Sequence, residues 1–126
     1  MKITLNKEEI KAVILDILSN GGVSMLDFLT IEYDKDHYNK VKQQSDCFED
    51  VLYRILEDKG TLKFIDDEYD GDYNADLTMD LIELRLAELD DKDFIEDILT
   101  SLREESDACT GYNLIQWFLY KEVVFG

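Results

Sequence analysis

Apolar positions recur with a helical period along most of the chain, and the period changes once. Ile10, Val13, Ile14, Ile17 and Leu18 fall at i, i+3, i+4, i+7 and i+8, one continuous stripe of an amphipathic helix. Asn6 stands at the N-cap, Glu9 three residues on completes a capping box, and Leu5 is placed to pack on Ile10 as a staple. Asn20-Gly21-Gly22 stops the helix, because glycine takes the left-handed conformation of a C-terminal cap. Ser24 with Asp27 repeats the capping signature and predicts the start of a second helix over residues 25–32. Residues 34–44 are polar, with Tyr33 and Tyr38 as scattered aromatics, and read as a loop or a frayed helix. A third helix is expected over residues 47–58, where Phe48, Val51, Leu52, Ile55 and Leu56 share one face and Gly60 is the stop.

The period then drops to two. Leu62 and Phe64 alternate with Lys63 and Ile65, and Tyr73, Ala75 and Leu77 alternate with Asn74 and Asp76. Asp70-Gly71 lies between the two runs, so a β-hairpin is predicted at residues 61–77. Thr78 caps a fourth helix carrying Met79, Ile82, Leu86 and Leu89, and a fifth carries Phe94, Ile95, Ile98, Leu99 and Leu102. A sixth is expected over residues 112–120, with Leu114, Ile115, Trp117 and Phe118. Val123-Val124-Phe125 adds a short C-terminal strand or simply packs down. The pattern is that of an α+β protein, mostly helical, with about six helices and one hairpin. No proline-, glycine- or serine-rich linker divides it, so residues 1–126 read as a single compact domain.

Composition agrees with that architecture and narrows the chemistry. The chain has 126 residues, 45% of them apolar, which suffices for one core. The longest apolar runs span three or four residues, so no membrane-spanning segment is expected. No long apolar stretch or small-residue cleavage site opens the chain, so no secretory signal is expected either. Cys47 and Cys109, far apart in sequence, form neither a disulfide framework nor a metal knuckle, and reduced thiols in a cytoplasmic protein are the simple reading.

Charge changes the picture most. Lys and Arg number 13 against 30 Asp and Glu, a net charge of −17, which makes direct binding of nucleic acid or an anionic membrane unfavourable. The imbalance is local. Residues 1–45 hold six bases and seven acids, near neutrality, whereas residues 46–126 hold seven bases and 23 acids. Asp66, Asp67, Glu68, Asp70, Asp72 and Asp76 fall within eleven residues with no base among them. Glu88, Asp90, Asp91, Asp93, Glu96 and Asp97 follow, against Lys92 alone. Concentrated like charge raises self-repulsion in the folded state, so either solubility or a binding role favours it.

The candidate partner-binding residues are accordingly the hairpin acids Asp66, Asp67, Glu68, Asp70, Asp72 and Asp76, with Asp90, Asp93, Glu96 and Asp97 from the second stretch. Tyr69 joins them, because exposed tyrosine among carboxylates suits a partner rich in Arg and Lys through ring area and cation–π attraction. Tyr73 flanks the same turn, or packs on its own hairpin face. Asp91 is the weakest member of the second stretch, since it is placed to cap the fifth helix.

Catalytic and metal chemistry find little support. Counted from Asp66, the hairpin nearly spells a calcium loop, with Glu68, Asp70, Gly71 and Asn74 at the third, fifth, sixth and ninth positions. The twelfth position needs a bidentate glutamate and holds Leu77. His37 is the sole histidine, too few for a zinc site, and reads as a surface residue. Cys47 opens a helix, where thiolate is favoured, yet nothing in the sequence places a base beside it. There is no phosphate-binding glycine loop, nucleophile elbow or HExxH, so no enzymatic activity, metal or cofactor is expected.

Two resemblances bear on function. Helices followed by a hairpin over residues 7–77 resemble a winged helix in element order. Its third helix, however, carries Asp46, Glu49, Asp50, Glu57 and Asp58 against Arg54 and Lys59, a surface that repels phosphates. With its capped first helix, acidic Asp-Gly hairpin and closing Leu114-Ile115-Gln116-Trp117-Phe118 helix, the whole chain is similar to small acidic proteins of unassigned function from tailed bacteriophages. That resemblance implies synthesis in a bacterial host's cytoplasm and supplies no catalytic residues.

The sequence therefore predicts a non-enzymatic binding protein whose acidic part docks on a basic surface of another macromolecule, as a nucleic-acid mimic, inhibitor or immunity-type protein. Carboxylates at i and i+4 rise about 6 Å along a helix, coarser than duplex DNA's charge every ~1.7 Å. Any mimicry is thus of potential rather than of phosphate positions. The alternative is a structural or assembly subunit that self-associates through an apolar face such as Trp117, Phe118 and Phe125, its acidity serving solubility.

Overall fold

The computed structural model describes residues 3–19, 29–44 and 46–125. The first helix, α1 (Lys7–Ser19), forms as its stripe dictates. The Glu9 amide donates to Asn6 Oδ1 at 2.8 Å and the Asn6 amide to Glu9 Oε1 at 3.0 Å, closing the capping box. Val13, Ile14, Ile17 and Leu18 are buried, and Leu5 and Ile10 line one cleft. The expected glycine stop and the Ser24–Asp27 signature lie outside the described residues.

Residues 29–32, predicted as the end of a second helix, are instead a strand, β1 (Leu29–Glu32). The reason is non-local: Leu29 pairs with Asp66, Thr30 with Ile65, Ile31 with Phe64 and Glu32 with Lys63. A helix does follow, α2 (Lys35–Val41), within the stretch that reads as loop or frayed helix. Asp34 starts it by accepting the amides of Asp36 and His37.

Next comes α3 (Phe48–Glu57), which buries Val51, Leu52, Tyr53, Ile55 and Leu56. Its last turn closes through Lys59 in the left-handed conformation, with the Gly60 amide donating to the Ile55 carbonyl at 2.7 Å. Gly60 thus follows the left-handed residue, and its missing side chain serves another purpose. A Cβ there would stand 2.6 Å from His37 Cε1 and from Ile55 Cγ2.

The hairpin strands are β2 (Leu62–Asp66) and β3 (Ala75–Leu77), and the sheet is antiparallel in the order β1-β2-β3. Three helices complete the fold: α4 (Met79–Ala87), α5 (Lys92–Leu102) and α6 (Ala108–Tyr120). Thr78 Oγ1 accepts the Leu81 amide to cap α4, and Asp91 Oδ1 accepts the Asp93 amide to cap α5. The last helix begins four residues earlier than its apolar stripe suggests, because Asp107 and Thr110 form a capping box. Val123 to Phe125 form no strand. Phe125 packs down at 2% exposure, and its amide and that of Val124 donate to Oε1 of fully buried Gln116.

One core joins these elements into a mostly helical α+β domain. α1, α3, α5 and α6 contribute most of it, and Leu62, Phe64 and Leu77 seal the sheet against them. Trp117 and Phe118 lie inside, at 4% and 1% exposure, so the apolar face named for self-association is consumed by the chain's own interior. No helix among the described residues is long and apolar enough to cross a membrane.

Candidate functional site

The loop joining β2 and β3, residues 67–74, carries the densest run of acids, and one of them builds it. Alternation along β2 turns Leu62, Phe64 and Asp66 to the inside, leaving Asp66 only 4% exposed. Asp66 Oδ1 accepts the amides of Glu68 at 2.8 Å and Tyr69 at 2.9 Å, and Oδ2 that of Tyr73 at 3.1 Å. Its own amide donates to Asn74 Oδ1 at 2.7 Å. Burial alone would raise this carboxyl, but the Tyr69, Glu68 and Tyr73 amides outweigh it and hold the group below its ordinary value. Asp66 therefore does not share the solvent-facing row expected of the hairpin acids. It is the internal bracket on which the loop is shaped.

The remaining loop acids point outward. Asp67, Glu68, Asp70 and Asp72 are exposed. Asp67 is steadied from β1 by the Thr30 hydroxyl, which donates to its Oδ2 at 2.5 Å. Asp70 and Gly71 adopt φ of 54° and 86°, and glycine supplies the second left-handed position at no steric cost. Asp76 stands apart from them. It lies in β3 opposite Lys63, which also pairs with Glu32 in register, so its charge faces a base across the sheet.

Aromatic rings fix the loop to the end of α6. Tyr69 stacks on Phe125 with centroids 5.7 Å apart, and Tyr73 meets Phe125 at 5.6 Å and Tyr120 at 5.7 Å, edge to face. The Tyr120 hydroxyl donates to the Tyr73 carbonyl at 2.7 Å. Burial, with the charge of Asp66 beyond it, pushes that phenol up to about 12. Tyr69 and Tyr73 keep 47% and 36% of their surface in solvent, so each anchors the loop with one side and offers the other. Both readings of Tyr73, packed and displayed, hold in part.

The second acidic stretch is tied to the same end of α6. Lys121, just beyond that helix, reaches Glu88 Oε2 at 2.8 Å and holds Glu88 below its ordinary value. Phe94 of α5 packs on Trp117 at a tilt, with ring centroids 5.0 Å apart. Arg85 of α4 donates from Nε to the Phe118 carbonyl at 3.0 Å and from Nη2 to that of Leu119 at 3.5 Å, capping the negative end of α6. Asp90 and Asp93 are exposed, whereas Asp91 serves as the cap expected of it. Glu96 meets Arg103 at 3.1 Å. Asp97 is half-buried, and burial first, then the carboxylates of Asp93, Asp107 and Glu96, push it up. Glu68, Asp70, Asp72, Asp90 and Asp93 are thus the most open members of the set, with Asp67 beside them.

Other candidate chemistry is spent internally. Cys47 is exposed at the start of α3, and the carboxylates of Glu49 and Asp50 push its thiol up, opposing the helix end. His37 Nε2 is bonded to Asp58 Oδ2 at 2.8 Å, which ties α2 to the end of α3. Leu77, at the twelfth position of the near-calcium loop, is buried in β3. Among the described residues no group of three or more His, Cys, Asp or Glu side chains is arranged to hold an ion. Compared with known proteins, the chain matches no family model, no curated protein and no solved structure.

Proposed function

We propose that the protein is a non-enzymatic acidic binding module that docks the loop at residues 67–74, together with Asp90 and Asp93 of the second acidic stretch, on a basic surface of another macromolecule. The observation that carries this reading is the internal anchoring of the loop. Asp66 and the Tyr73–Tyr120–Phe125 cluster hold the backbone, so four outward carboxylates and two half-exposed tyrosines are displayed without further ordering. Preorganised display lowers the cost of binding, and one-signed charge accelerates encounter with a partner of opposite sign.

The partner class that fits is a nucleic-acid-binding protein, whose cleft already favours polyanions. The chain would act as an inhibitor or immunity-type protein, in a bacterial cytoplasm if phage-encoded. Immobilised protein exposed to bacterial lysate tests this. Basic proteins should be retained at low salt, released by duplex DNA, and lost when Asp67, Asp70 and Asp72 are replaced by Asn. Retention unchanged in that triple variant would remove the loop from function and leave its acidity to solubility.

A further inference from the structure

A second surface, unrelated to the acidic loop, lies where α1, α3 and α4 meet. Two adjoining clefts, of about 330 and 350 Å³, share Ile10 and Glu83. Their apolar lining comes from Leu5 before α1 and from Met79, Leu86 and Ala87 on α4. On α4 only Ile82 is fully buried; Met79, Leu81 and Leu86 are half-buried against the core and Ala87 is exposed, with Asp80, Glu83 and Arg85 between them. Met79, Leu86 and Ala87 thus leave part of their apolar surface open along the clefts.

The charges at this surface are of both signs. Lys7, Lys11 and Lys59 line the second cleft together with Glu8, Glu57 and Glu83, and Lys11 Nζ lies 5.6 Å from the Tyr53 ring centroid. No residue of either acidic stretch lines these clefts. We infer that this surface is covered by a second copy of the chain, packed about a two-fold axis. In such an isologous contact each patch meets itself, so it must be self-complementary. Three lysines beside three glutamates, with Asp80 3.8 Å from Lys59, bring that region close to neutrality, and chains of net charge −17 approach most readily through such a region. A strongly basic partner is disfavoured by the lysines and an acidic one by the glutamates.

Sedimentation of the full chain from about 1 μM to about 1 mM tests the inference. A monomer–dimer equilibrium is expected, tightened by added salt because the overall −17 repulsion is screened. Ala87→Glu and Lys11→Glu, both at exposed positions that line the clefts and both expected to leave the fold intact by circular dichroism, should each weaken the dimer about tenfold or more. The Asp67, Asp70, Asp72 to Asn triple variant should dimerise at least as well as the parent, which separates this surface from the proposed docking loop. A monomer at every concentration and salt, or a dimer indifferent to both glutamate substitutions, would overturn the inference.

Discussion

The end of α6 and the α1–α4 surface are both rich in charged side chains, and they differ in what the charges surround. At the end of α6 the exposed groups are nearly all acids, and an inward carboxylate, Asp66, shapes the loop that displays them. At the α1–α4 surface lysines and glutamates alternate around apolar clefts. The net negative charge is therefore unevenly spread over the molecule. Salt should weaken what binds at the first and strengthen what binds at the second.

The largest effect should come from the core that both regions share. Ile14 is 2% exposed, and Ile14→Ala should cost about 2–5 kcal/mol in a denaturant series. A loss below about 0.5 kcal/mol would show that α1 is not the common scaffold. Gln116→Ala strikes one side only. It orphans the half-buried Val124 amide and the buried Phe125 amide and should cost about 2–4 kcal/mol. It should also free Phe125 from beneath Tyr69 and Tyr73, so hydrogen exchange should quicken in residues 67–74 and not in α1. Uniform quickening would contradict the separation of the two regions.

Within the loop, the inward and outward acids should behave in opposite ways. Asp66→Ala removes the acceptor of three amides and should lower the melting temperature. Asp67→Asn, Asp70→Asn and Asp72→Asn together should leave it unchanged or raise it slightly as repulsion falls. Equal losses would mean that the outward acids are structural too.

The smallest effect is that of pH. Asp66, Asp46, Asp58, Glu88 and Asp107 are held below their ordinary values. Such groups stabilise the fold above the unfolded value, and that contribution is lost as pH falls through the folded one. The raised Asp97 acts the other way: it takes up its proton earlier in the folded chain, so its contribution to stability rises as pH falls through its folded value. Melting temperature should therefore hold, with a slight gain from Asp97, as pH falls from neutrality, and drop below about 4 as the five lowered groups take up protons. A steady fall beginning at pH 7 would show that the five lowered groups do not govern the acid limb.

Much of this was legible in the sequence where local rules suffice. The α1 capping box, the stripes of α1 and α5, the Thr78 and Asp91 caps and the first β-run formed as read; the second run shortened to Ala75–Leu77, and Phe48 of the α3 stripe is left exposed. What escaped depends on distant partners. Leu29 to Glu32 are a strand only because β2 lies alongside, some 35 residues on. Val123 to Phe125 found their hydrogen bonds in the Gln116 amide and needed no strand. The inward turn of Asp66 was available, since it shares the period of Leu62 and Phe64, but its acidic neighbours hid the signal. Thr110 in place of Glu or Gln disguised the capping box of α6.

The docking role of the loop is tested most directly by comparing parent and triple variant on the same lysate. Immobilised in parallel, each is washed at about 50 mM and about 500 mM salt, on either side of the ionic strength that screens charges beyond about 8 Å. The expected result is a set of basic proteins held by the parent at low salt, displaced by duplex DNA, and absent from the Asp67, Asp70, Asp72 to Asn variant. The same proteins on both surfaces, released by neither salt nor DNA, would contradict a docking role for the acidic loop.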